Sequence, residues 1–160
     1  MKVIRILLTA YLAWYIIKGI ELMARSSSVD RIVYNRAGLS ALFFALVIAT
    51  IALYTFAIRY IWRPSRMGFR FSLLGLLLAF SETAIAGVIG YQNPSIIKNA
   101  FVASRIARGL VVKPEVLQLL DKPASHLVGI AFSFLFAVVI AVLLYVSVER
   151  SQTNGLKAAA

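Results

Sequence analysis

Glu82 is a carboxylic acid set inside FSLLGLLLAFSETAIAGVIGY, the apolar run from Phe71 to Tyr91. As a helix, that run is long enough to cross a hydrocarbon layer of roughly 30 Å, which places the acid near mid-depth. A charge there costs about 2.5–3.5 kcal/mol on insertion scales, so such a side chain normally faces protein or a wet cavity rather than lipid. Removal from water favours the neutral acid, which can donate one hydrogen bond and accept others. Two kinds of chemistry follow. One is structural, a hydrogen bond to a carbonyl or hydroxyl on another helix. The other is a proton- or cation-binding site in a transporter or channel. Ser81 and Thr83 flank the acid and can make local or interhelical hydrogen bonds. No second acid lies deep in an apolar run. A relay within one subunit would therefore need water, oligomeric symmetry, or hydroxyls such as those of Thr9, Tyr11, Tyr15, Thr50, Tyr54 and Thr55.

The other reactive residues point to little. Asp121, Ser125 and the single histidine, His126, supply triad residue types, but they cluster across Pro123 near the start of an apolar run. A triad needs its members to converge beside an oxyanion site, and Ser133 is two helical turns from His126. His126 reads as an interfacial histidine. One histidine and no cysteine leave too few ligands for a metal site, for paired-histidine haem ligation or for thiol redox chemistry. Val88-Ile89-Gly90-Tyr91-Gln92 echoes a potassium filter, but it lacks the last glycine and continues a spanning helix. The expectation is a chain without a catalytic centre, cofactor or metal.

Arg59, Arg63, Arg66 and Arg70 follow one another at spacings of four, three and four. On a continuous helix they would share a face toward lipid phosphates. Pro64 and Gly68 point instead to a broken turn with topogenic arginines, the preferred reading.

These residues need elements to carry them, and the composition says which. Of 160 residues 61% are hydrophobic, and the mean hydropathy is +0.88. A soluble domain of that size has too little interior to hide so much apolar surface. The formal net charge is +11. Its basic residues lie almost entirely between the apolar runs, and no nucleic-acid motif accompanies them. The expected partner is therefore a bilayer with anionic headgroups, not nucleic acid.

The chain reads as an all-α integral membrane protein with spans at about 3–23, 39–58, 71–91 and 127–148. A cleaved leader ending near Ala24-Arg25-Ser26 is the rival reading of the first. Asn93 and Pro94 open an amphipathic helix over about 95–108, stopped by Gly109. A second short helix starts at Pro114, and together they make an outer helical connection over about 94–122. Residues 151–160 read as a disordered tail, with the terminal alanines set aside as a cloning remnant.

Small residues recur every four positions on three spans: Ala41, Ala45 and Ala49; Gly75, Ala79, Thr83 and Gly87; Gly129, Ser133, Ala137 and Ala141. Such stripes let helix backbones approach closely and predict buried faces. The short Arg59–Arg70 turn, without an acid, predicts both termini in the cytoplasm, in a bacterial inner membrane. Two functions fit. The favoured one is a non-enzymatic scaffold, accessory or regulatory subunit, working through helix contacts with its own copies or another membrane protein. The alternative is an oligomeric proton- or cation-linked transporter or channel that uses Glu82.

Overall fold

A computed structural model describes residues 2–62 and 66–157, with only the backbone of residues 2, 66 and 147–157. Among the described residues every regular element is a helix: α1 (Lys2–Ala24), α2 (Val29–Arg36), α3 (Ser40–Ile61), α4 (Arg66–Gln92), α5 (Pro94–Ala107), α6 (Pro114–Leu120) and α7 (Pro123–Lys157). Four of them, α1, α3, α4 and α7, are long and apolar enough to cross a membrane. Their apolar residues run all round the helix, the pattern of a helix that meets lipid or protein on every side.

α4 is the central member, packed against both α3 and α7, while α1 packs on α3 and touches α7. The main core lies where these four meet. Leu8 and Leu12 of α1, Tyr54 and Ala57 of α3, Leu76 of α4, and Ile140 and Leu144 of α7 are buried together. At the end of the molecule where α1 and α4 finish, α2, α5 and α6 form a cap. Tyr34 packs there with Phe43 and Val47. The cap is tied by an ion pair between Lys98 and Asp121, and α5 packs on α2 and α4.

Glycine sets two of these contacts. A Cβ on Gly75 would stand 2.5 Å from Cε1 of Tyr54, and one on Gly87 would stand 2.5 Å from Cγ1 of Ile130. α4 thus presents Gly75 to α3 and Gly87 to α7, while the buried Ala79 borders the cavity between α1, α4 and α7. The face expected to carry Gly75, Ala79, Thr83 and Gly87 together is divided between partners, and Thr83 is exposed. The reason is geometric, because a four-residue row drifts about 40° per step around a helix of 3.6 residues per turn.

Two other stripes are corrected. On α3, Ala41 and Ala45 face outward, and the buried face is Phe43, Val47, Thr50, Tyr54, Ala57 and Ile61. Bulky residues fill that groove, with glycine on α4 providing the room. On α7, Gly129 is exposed and a Cβ there would meet nothing within 4 Å. Ser133 and Ala137 are half-buried, facing a cavity between α1, α4 and α7.

Three further differences concern local structure. α2 was not anticipated; its eight residues carry Val33 and Tyr34 inward, too short a pattern to stand out between Ser28 and Gly38. Asn93 precedes α5 without capping it through its side chain, since its Oδ1 accepts a hydrogen bond from the Ser95 hydroxyl at 2.6 Å. The helix of α7 runs to Lys157, past Ser151 where the tail was expected to lose order. Ser151–Asn154 holds no proline to interrupt it, and each added residue gains a backbone bond at little cost. Residues 158–160 lie outside the described part.

Candidate functional site

Glu82 is half-buried and lines a cavity of about 150 Å³ between α1, α2, α3 and α4. Its polar wall is Lys18 from α1, Asp30 from α2, Thr50 from α3, and Glu82 and Thr83 from α4; Trp14, Val47 and Ile51 contribute apolar wall. The space is several times what one water molecule requires. Asp30 was missed by the sequence reading. It lies in a short polar segment, DRIVYNR, where an acid looks solvated, and only the folding of α2 onto the helix ends brings it to Glu82.

Each side chain is held for a local reason. α2 is docked by Tyr34, which is fully buried and donates a hydrogen bond at 2.7 Å to the backbone carbonyl of Glu82. Burial, followed by the nearby charges of Glu82 and Asp30, raises the Tyr34 phenol above its ordinary value and keeps it a donor. Arg31 donates at 2.7 Å to the Met23 carbonyl, closing the C-terminus of α1. It also lies over the Phe44 ring at 5.2 Å. The same small helix therefore fixes the end of α1 and delivers Asp30. Burial pushes the Asp30 carboxyl above the usual carboxylate range, against the opposing pull of its own backbone N–H and of Lys18.

Lys18 has a second neighbour, Glu21, at 3.9 Å, a long and exposed pair that holds it weakly. Thr50 is 4% exposed, and its hydroxyl has no hydrogen-bond partner although it lines the cavity. A buried hydroxyl left unpaired costs about 1–3 kcal/mol. It is placed to bond whatever occupies the space beside Glu82.

The flanking hydroxyls behave differently from the acid. Ser81 donates to the Leu77 carbonyl at 2.8 Å and Thr83 to the Ala79 carbonyl at 3.3 Å. Both bonds are local, one turn back along α4. Thr83 nevertheless lines two cavities, the Glu82 cavity and the larger one of about 300 Å³ between α1, α4 and α7. Tyr15 is the other wall these two share. On the cap side, Lys18, Leu22 and Asp30 are shared with a third cavity of about 180 Å³. Glu82 and Asp30 thus stand in the middle of a series of adjoining spaces.

The remaining sequence candidates lie elsewhere. Arg59 and Arg70 are exposed. Arg59 lies near the end of α3, while Arg66 and Arg70 lie at the start of α4, so the arginines do not share one helix. Arg63 lies outside the described residues. His126 is buried, and its Nε2 stands 3.0 Å from the Leu120 carbonyl. A carbonyl only accepts, so Nε2 is the donor and the ring ties α7 back to α6. It packs beside Gly90, where a Cβ would meet its ring. The ring is thus bonded to α6 and packed against α4. Asp121 is engaged by Lys98, and the Ser125 hydroxyl donates to backbone carbonyls of Leu119 and Lys122. Among the described residues, no three histidines, cysteines or acids come together as metal ligands.

Compared with family models, curated proteins and solved structures, the chain matches none.

Proposed function

We propose that the chain is an integral membrane protein that binds a proton or a small monovalent cation between Glu82 and Asp30, as part of proton- or cation-linked transport. The observation that carries this reading is the meeting of two carboxyls from different helices in one cavity. Two carboxylates facing one ammonium, Lys18, leave one negative charge uncompensated, and in a poorly hydrated space that charge needs a proton or a cation. The unpartnered Thr50 hydroxyl supplies a further oxygen ligand. Divalent ions are disfavoured, since calcium takes six to eight oxygens and magnesium a strict octahedron.

In this reading the Arg59–Arg70 turn and both termini lie in the cytoplasm of a bacterial inner membrane, and the cap lies outside. The cap-side cavity is then the entrance and Asp30 the first station.

The test is proton uptake into proteoliposomes with an entrapped pH dye, driven by a potassium diffusion potential, then repeated with a sodium gradient. Wild type should exceed protein-free liposomes in one of the two, and Glu82→Gln should abolish the difference while leaving folding intact. Rates that match protein-free liposomes with both ions, or a Glu82→Gln variant as fast as wild type, would overturn the reading. The scaffold reading rests on one separate observation: α7 turns Gly129 and most of its large apolar side chains outward, a surface that a second copy or another membrane protein would cover. Gly129→Leu should then weaken oligomer or complex formation without affecting the monomer.

A further inference from the structure

We propose that the cap-side cavity binds a phosphate group, carried by an anionic lipid headgroup or free in solution. This site adjoins the proposed cation site, sharing Lys18, Leu22 and Asp30 with its cavity, but rests on residues of its own, Arg25, Ser28 and Arg108. The cavity holds about 180 Å³ and is lined by Lys18 and Glu21 of α1, Arg25 after it, Ser28 and Asp30 at the start of α2, and Arg108 after α5. Drug-sized ligands occupy roughly 300–1,000 Å³, so this space suits a small group.

Three cationic side chains from two parts of the fold distant in sequence converge on it. Arg108 is oriented: its Nε donates to the Ser104 carbonyl at 3.1 Å, which fixes the guanidinium plane. Arg25 is held at 2.8 Å by Glu21 on the cavity rim. A phosphate would have to share Arg25 with Glu21 and keep clear of the Asp30 carboxyl on the same wall. The Ser28 hydroxyl is buried and unpartnered on the cavity wall, in position to donate to an oxygen of the ligand. Planar guanidinium groups bind phosphate oxygens in pairs, and a hydroxyl completes such a site. The cavity opens beside the ends of the long apolar helices, the depth at which a lipid phosphate sits if those helices cross a bilayer.

The experiment is calorimetric titration of the detergent-solubilised full chain with short-chain phosphatidylglycerol below its micellar concentration, and separately with inorganic phosphate. Arg25→Gln, Arg108→Gln and Ser28→Ala are compared with Arg36→Gln, which removes one charge from the same end of the molecule outside the cavity. Each arginine variant should weaken binding about tenfold or more, as loss of a hydrogen bond to a charged group does. Arg36→Gln should change it less than twofold. Binding of phosphatidylglycerol without inorganic phosphate makes the lipid the source; binding of both makes the phosphate itself sufficient. No binding of either would overturn the proposal, as would an Arg36→Gln loss as large as that of Arg108→Gln. If an arginine variant loses its thermal unfolding transition, Ser28→Ala decides: undiminished binding by that variant would overturn the site.

Discussion

Substituting alanine at Gly75 and at Gly129 adds the same methyl group to two helix interiors with opposite consequences. Removing a helical glycine is worth about 1 kcal/mol in favour of the helix at either position. At Gly129 nothing opposes the gain, because the new Cβ meets nothing within 4 Å. At Gly75 the new Cβ stands 2.5 Å from Cε1 and 2.7 Å from Cδ1 of Tyr54, and 3.4 Å from the Leu53 Cβ. Carbon atoms prefer roughly 3.5–4.0 Å, so the Tyr54 ring must yield by about 1 Å. It has no free side to move toward: it is fully buried and held edge-on by Tyr15 at 5.6 Å. Overpacking of this kind costs about 1–3 kcal/mol. The propensity gain is common to both variants and cancels in their difference, leaving the overpacking term alone. Unfolding in mixed micelles by sodium dodecyl sulfate, followed by tryptophan fluorescence, should place Gly75→Ala about 1–3 kcal/mol below Gly129→Ala. Tyr54→Leu removes the ring edge, so in that background the gap should shrink. Equal stabilities of the two single variants would refute the close approach of α3 and α4 at this point.

Four further outcomes follow from particular contacts. Gly109→Ala should destabilise by about 1–2 kcal/mol in the same assay although the site is open, because φ there is +65° and only glycine adopts it freely; a stabilised variant would contradict that backbone. Gly87→Leu should lose about 1–3 kcal/mol by driving Ile130 and α7 from α4, and an unchanged unfolding midpoint would mean the two helices do not touch there. His126→Phe should lose about 1–3 kcal/mol by leaving the Leu120 carbonyl without its donor, whereas a stable variant would remove the link between α6 and α7. Asp30 holds its proton more tightly folded than unfolded, so stability should fall as pH rises from the ordinary carboxyl value of 3.8 to the raised folded value and stay level above it. Measured in a Glu82→Gln background, where one carboxyl of the cavity still titrates, Asp30→Asn should abolish this slope, and a persisting slope would assign it to another group.

The four long helices were legible because segments long and apolar enough to cross a membrane announce themselves by length and lack of charge, whatever they pack against. Glu82 was legible for the complementary reason: a carboxyl is conspicuous in such a run. The packing faces were not. An alanine row on α3 and a glycine on α7 look the same in sequence as Gly75, yet Ala41 and Ala45 face outward and Gly75 lies against an aromatic ring. What separates them is the partner. A small residue is needed only where a bulky one arrives from the other side, and the bulky residue here, Tyr54, is on the helix whose alanines attracted attention.

Asp30 shows why a site can be half visible. The absence of a second acid deep in any apolar run weighed against a relay within one subunit, and it holds, since Glu21 lies near the end of the first run. The second carboxyl comes from outside them, on a helix of eight residues docked by the bond from Tyr34 to the Glu82 carbonyl. That bond uses the backbone of the very residue whose side chain lines the cavity, so the position of Asp30 is tied to the position of Glu82. Loss of the phenol should therefore act on the site before it acts on the fold. Tyr34→Phe keeps the buried ring beside Phe43 and removes one hydrogen bond, at a cost of about 0.5–1.5 kcal/mol. If docking of α2 brings the two carboxyls together, this variant should remain folded and lose part of the Glu82-dependent uptake. Full uptake together with a displaced α2, read by a spin label on the exposed Arg36 position, would show that the pairing of Asp30 with Glu82 is incidental.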